Sequence, residues 1–171
     1  MTTHDDPIDL ILKQWANERS ELDSSGFAVV GRIVLLGKVL ESRVTRALAP
    51  LSLGAFDILA TLRRQGAPFR LTPTQLSRAT LLTSGAITGR LDRLEKAKLV
   101  RRSADPTDRR GVRVALTDKG RELIDRAIVT RFDESLDAVR QMPKADQLAL
   151  ADLLRSLITS LAPTQLQEKS T

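Results

Sequence analysis

LTPTQLSRATLLTSGAITGRLDRLEK, residues 71–96, is the stretch on which the fold turns. Thr72 stands where a helix N-cap is needed, with Pro73 in the first helical position and Gln75 three residues after the cap, the spacing of a capping box. The helix it opens, Thr74 to Ala79, lasts about two turns. Thr80-Leu81-Leu82 makes a turn, and Thr83 or Ser84 caps a second helix whose apolar residues Ile87, Leu91 and Leu94 recur at i, i+4 and i+7. Two short capped helices joined by a tight turn form a helix-turn-helix.

Outward from this motif the chain alternates between long helical patterns and one β-signal. Downstream, Leu99-Val100-Arg101-Arg102 and Val112-Arg113-Val114-Ala115-Leu116 flank the turn-forming run Ser103 to Gly111, which predicts a hairpin with a charged tip. Thr117 caps a helix from Asp118 to about Gln141, Pro143 interrupts, and a last helix runs from Lys144 to Leu161. Upstream, Pro7 opens a short helix ending near Leu22 with Trp15 on its apolar side. After Ser24-Ser25-Gly26, a longer helix carries Val30, Ile33, Val34, Leu40, Val44 and Leu48 on one stripe, and Leu53 to Gln65 reads as a third helix. Phe69-Arg70-Leu71 offers a single β-bridge. The expected fold is mainly α with a small β-wing: a winged helix-turn-helix head, residues 53–116, on a helical dimerisation scaffold formed by residues 1–52 and 117–171. The helices at the two ends of the chain are more apolar than so small a head can cover, and a second copy is the economical cover.

Composition agrees and excludes much else. A formal charge of +6 suits a polyanionic partner, and Lys98 to Arg113 alone carry six Lys or Arg against two Asp. No cysteine and one histidine, His4, leave no thiol chemistry and no metal cluster, and no Gly-rich phosphate loop or catalytic constellation is present, so no cofactor and no enzymatic role are expected. Met1 to Pro7 lack a basic leader, and no apolar run approaches the ~18 residues that would indicate a membrane span, which places the chain in the cytoplasm as an expectation.

A reading helix that enters the major groove N-terminus first offers Thr83, Ser84, Ala86, Thr88 and Gly89 to base edges, with Arg93 further along and Thr72, Thr74 and Gln75 contributed by the preceding helix. Small residues permit close approach, and hydroxyls serve bases or phosphates. The hairpin tip supplies Arg109 and Arg110 to the adjacent minor groove, with Asp108 orienting a guanidinium. Singly, each feature belongs to many solvated surfaces; their ordered succession is what is specific. Double-stranded DNA, read as a near-palindromic operator by a homodimer, is the expected partner.

The runs Leu91-Asp92-Arg93-Leu94-Glu95, Leu99-Val100-Arg101-Arg102, Asp105-Pro106-Thr107-Asp108-Arg109-Arg110 and Leu116-Thr117-Asp118-Lys119-Gly120 resemble the signature of MarR-type transcriptional regulators, over about Val30 to Leu161. The resemblance implies an intertwined homodimer with two winged heads. Lys98 departs from it, since the family pattern generally has glycine there to end the reading helix in a left-handed turn.

Arg90 is the anomalous residue. Three after Ile87 and four before Leu94, it projects near the apolar stripe rather than toward the groove, and a buried guanidinium needs a partner. Asp57 and Arg64, seven apart on one helix face and about 10 Å apart along its axis, could grip two ends of a small polar molecule with Arg90 completing the grip. The plain alternative is an Asp57–Arg90 interhelical salt bridge, with Arg64 solvated and Trp15 a core anchor. Trp15, Asp57, Arg64 and Arg90, the last within Gly85 to Leu94, also resemble the urate-responsive branch of the family. That resemblance implies a small anionic aromatic effector, urate or a similar purine, whose binding releases repression. Phenolic acids suit the same charges, and a ligand-independent DNA-binding or architectural role remains the alternative.

Overall fold

A computed structural model describes residues 5–80, 84–105 and 111–161, without the side chains of residues 84–86. Its elements, in chain order, are α1 (Pro7–Glu18), α2 (Ser25–Leu48), α3 (Leu53–Arg64), β1 (Arg70–Leu71), α4 (Pro73–Ala79), α5 (Ser84–Lys96), β2 (Val100–Ala104), β3 (Val112–Leu116), α6 (Asp118–Val139) and α7 (Lys144–Leu161). This is the mainly helical architecture with a small antiparallel sheet that the sequence predicts. No described helix is long and apolar enough to cross a membrane. The chain forms two compact units, residues 1–44 and 45–171.

In the first unit, Asp6 caps α1, accepting from the backbone N–H groups of Ile8 and Asp9, while Asp9 accepts from the Asp6 N–H in return. Arg32 of α2 donates to both carboxylates, at 2.8 Å to Asp6 and 2.6 Å to Asp9. Ile8 is buried, and its Cδ1 lies 3.2 Å from where a Cβ on Gly31 would stand, so the two helices meet closely at a residue without a side chain. α1 stops at Glu18, short of the expected Leu22, and α2 starts at Ser25, where the Asp23 carboxylate accepts from the Ser25 N–H at 2.9 Å.

In the second unit, α3 starts at Ser52, whose hydroxyl accepts from the Ala55 N–H, and buries Phe56, Ile58, Leu59, Thr61 and Leu62. These residues share a core with Leu76 of α4, Ile87, Leu91 and Leu94 of α5, Val114 of β3 and Ile124 of α6. The sheet order is β1-β3-β2, with Arg70 opposite Ala115 and Val100 opposite Leu116. β1 is therefore a two-residue strand, aimed at β3 after a left-handed Phe69 whose ring the Arg63 guanidinium covers at 5.1 Å.

The end of α5 is joined to the start of α6. Lys98 has φ +60°, its N–H donates to Glu95 O at 2.8 Å, and the Leu99 N–H donates to Leu94 O at 2.9 Å, with Leu94 and Leu99 both buried. That is a Schellman ending built on lysine. Thr117 caps α6 by accepting from the Gly120 N–H and donates its own hydroxyl to Lys98 O at 2.8 Å, while Lys119 Nζ donates to Ala97 O at 3.0 Å. A Cβ on Gly120 would lie 1.9 Å from Leu99 O, so only glycine admits this approach.

Candidate DNA interface and the arginine cluster at Asp57

The reading helix α5 turns Ile87, Leu91 and Leu94 into the core and leaves Thr88, Gly89 and Arg93 exposed. Arg93 has no ion-pair partner among the described residues, so its charge is available. Ser84 and Ala86 belong to the first turn of α5, with their side chains outside the described residues; Thr83 and the tip residues Asp108, Arg109 and Arg110 also lie outside them. In α4, Thr74 is exposed with no hydrogen-bond partner for its hydroxyl among the described residues. Thr72 and Gln75 instead occupy one another: the Thr72 hydroxyl accepts from the Gln75 N–H at 3.1 Å, and the Gln75 side-chain oxygen accepts from the Thr72 N–H at 2.9 Å. The Gln75 amide nitrogen and the hydroxyl proton of Thr72 are left to reach outward.

The wing is fixed at its base. The Asp105 N–H donates to Gly111 O at 2.9 Å, and the nearly buried Asp105 carboxylate accepts from Arg113 Nε at 2.7 Å, which holds the Arg113 guanidinium in its charged state. Arg102 is likewise committed, donating to Glu95 at 2.9 Å and Asp92 at 2.7 Å and so tying β2 to α5. Two of the six basic residues counted between Lys98 and Arg113 are thus neutralised internally.

On its other side, α5 presents Arg90 to α3. The guanidinium lies against the backbone of Gly54, where a Cβ would come within 2.5 Å of Arg90 Nε and 2.7 Å of Cζ. Arg90 Nη1 is buried and has no hydrogen-bond partner among the described residues. Asp57, one turn further along α3, is half-buried, and that burial raises its pKa above the ordinary aspartate value against the opposing pull of Arg90, Arg131 and Arg64. Its distance from Arg90 exceeds ion-pair range, so the direct interhelical salt bridge is not formed. Arg64 is exposed and donates from Nη2 to Ala79 O at 2.6 Å. The structure therefore gathers three of the four predicted ligand residues. The fourth, Trp15, belongs to the first unit, where it is half-exposed and lines a cleft of about 330 Å³ with Leu22 and Phe27. Sequence reasoning missed Gly54 and Arg131. Gly54 is three residues before Asp57, a spacing that signals one helix face but not what approaches it.

The MarR family model matches residues 49–111, which run from the end of α2 to the wing. PecS, an HTH-type transcriptional regulator of Dickeya dadantii (strain 3937), is 36% identical over 146 residues, covering 84% of this chain and 88% of that protein. The chain belongs to the MarR family. As a MarR-family winged helix-turn-helix transcriptional regulator, it is also similar to Sco3205 of Streptomyces coelicolor, a family member solved in complex with DNA. That similarity has a TM-score of 0.74 at 26% identity, over 84% of this chain and 92% of that one. Bordetella bronchiseptica BpsR, whose DNA binding is regulated by 6-hydroxynicotinic acid, is similar with a TM-score of 0.68 at 25% identity, over 75% and 91% of the two chains. Within the MarR-family head, the Leu116 to Gly120 run acquires a physical meaning: a cap, a cation on the preceding helix's carbonyls, and a glycine that lets the two meet.

Proposed function

We propose that this MarR-family chain is a homodimeric repressor that reads a near-palindromic operator and releases it when a small anionic aromatic molecule, urate or a close relative, occupies the Arg90 site. Thr88, Gly89 and Arg93 of α5 meet the major groove together with Thr83, Ser84 and Ala86; Thr74 and Gln75 of α4 meet phosphates; Asp108, Arg109 and Arg110 form the minor-groove tip. Residues 1–52 and 117–171 form the dimer scaffold.

One observation carries the effector reading: the Nη1 of Arg90 is buried and, among the described residues, unpaired, on the helix assigned to reading DNA. An unsatisfied buried donor on a charged group is costly, and a ligand acceptor removes that cost. Because Arg90 belongs to α5, a ligand that prefers one setting of this helix shifts operator affinity by its differential binding, typically 1–3 kcal/mol or about 5–150-fold. The 6-hydroxynicotinic acid that regulates BpsR is an aromatic acid, which supports a ring-bearing anion of that type as a second ligand class. The test is operator binding with and without urate. Urate weakens the wild-type complex about tenfold or more, and Arg90→Ala binds operator comparably but no longer responds. An operator complex indifferent to urate and to aromatic acids refutes the effector reading.

A further inference from the structure

Asp57 is surrounded by more positive charge than Arg64 and Arg90 supply. α3 and α6 pack together, and Arg63 Nε donates to Asp125 Oδ1 at 2.6 Å, which sets their register. Six residues back along α3 from Arg63 is Asp57, and six forward along α6 from Asp125 is Arg131. Each step covers about 9 Å, and Arg131 is among the charges that act on the Asp57 carboxylate, so the turn bearing Arg131 comes level with the turn bearing Asp57.

Arg131 is half-buried, and no carboxylate among the described residues lies within ion-pair distance of it. Its Nη1 donates to the Ser135 hydroxyl one turn on, and Ser135 in turn donates to Arg131 O at 2.9 Å. A hydroxyl holds the guanidinium in place without neutralising it. A half-buried arginine that serves structure is ordinarily paired with an acid. This one is held in place without an ion-pair partner, and it acts on the same Asp57 as Arg90, whose buried Nη1 has no hydrogen-bond partner among the described residues. Three guanidiniums against one carboxylate leave a local excess of two positive charges.

We propose that Arg131 is a further ligand-binding residue of the Asp57 site, pre-positioned by Ser135. Together with Arg90 and Arg64 it selects a planar ligand that carries delocalised negative charge on more than one acceptor edge and an N–H or O–H donor for Asp57. An oxopurine anion meets both demands; a plain carboxylate meets only the first. This inference rests on the effector reading of the site and adds to it a contact from the long helix α6.

The experiment compares full-length wild type, Arg131→Gln, Arg131→Lys and Arg90→Ala by titration calorimetry with urate, alongside ligand-free operator binding and thermal unfolding. Arg131→Gln weakens urate binding on the order of tenfold, as expected for loss of one charge-assisted contact, with unfolding midpoint and operator affinity unchanged. Arg131→Lys retains most of the urate affinity. If Arg131→Gln binds urate like wild type while Arg90→Ala does not, Arg131 is outside the site and the effector reading stands. If Arg131→Gln loses thermal stability and operator affinity in step with urate affinity, the residue is structural and the proposal fails. If wild type does not bind urate, the effector reading fails first and takes Arg131 with it.

Discussion

Lys98 holds a backbone conformation that an L-residue with a side chain enters at a cost of about 1 kcal/mol, and the hydrogen bonds that enforce it come from main chain alone. Lys98→Gly is therefore expected to stabilise the protein by about 1 kcal/mol, raising the thermal midpoint by about 2–4 °C without altering operator affinity. Asp57 presents the opposite situation, a residue kept at a loss. Burial raises its folded pKa above 3.8, so the folded state binds a proton more tightly than the unfolded chain does, and stability falls as pH rises through the interval between the two values. Asp57→Asn removes that fall in urea titrations run from pH 3.5 upward and also removes the effector response; a variant whose pH profile matches wild type refutes this assignment. Lys98 and Arg90 were legible in part. Lys98 stood out because glycine was expected, and Arg90 because its spacing turned it inward. Arg131 was invisible, since its place beside Asp57 exists only once α6 has packed on α3.

Between elements, the decisive contact is the joint of α5 and α6. Gly120→Ala puts a methyl group into Leu99 O, and relief requires the helix start or the β2 entry to move. A loss of about 3 kcal/mol or more is expected from chemical denaturation, larger than helix propensity could return. Caps made this level readable in advance: Thr72 and Thr117 act within a few residues of themselves, so their local sequence suffices. What depended on distant pairing did not read so well. β1 becomes a strand only because β3 lies beside it, and the basic charge of the wing reads too high because Arg102 pairs with Asp92 and Glu95 of α5, outside the Lys98 to Arg113 span, whereas Asp105, the partner of Arg113, is counted within it.

At the scale of the molecule, α7 has no buried residue even though Leu148, Leu153, Leu154, Ile158 and Leu161 give it an apolar character, and Phe132 and Leu136 of α6 are exposed as well. A second copy covering these side chains is the proposed remedy, as the apolar ends of the sequence suggested before any element was placed. Leu153→Glu is expected to leave the head folded, because Leu153 is 70% exposed within one chain, yet to shift the protein from dimer to monomer in analytical ultracentrifugation and to weaken operator binding at least tenfold. A variant that remains dimeric removes α7 from the interface. If the two heads depend on α7 in this way, dose matters more steeply than affinity does. Below the dimerisation constant, operator occupancy grows with the square of subunit number, so halving expression cuts it about fourfold. A subunit with an intact α7 and a ruined reading helix would then be poisonous to its wild-type sibling, capturing it in mixed pairs that grip only half a site.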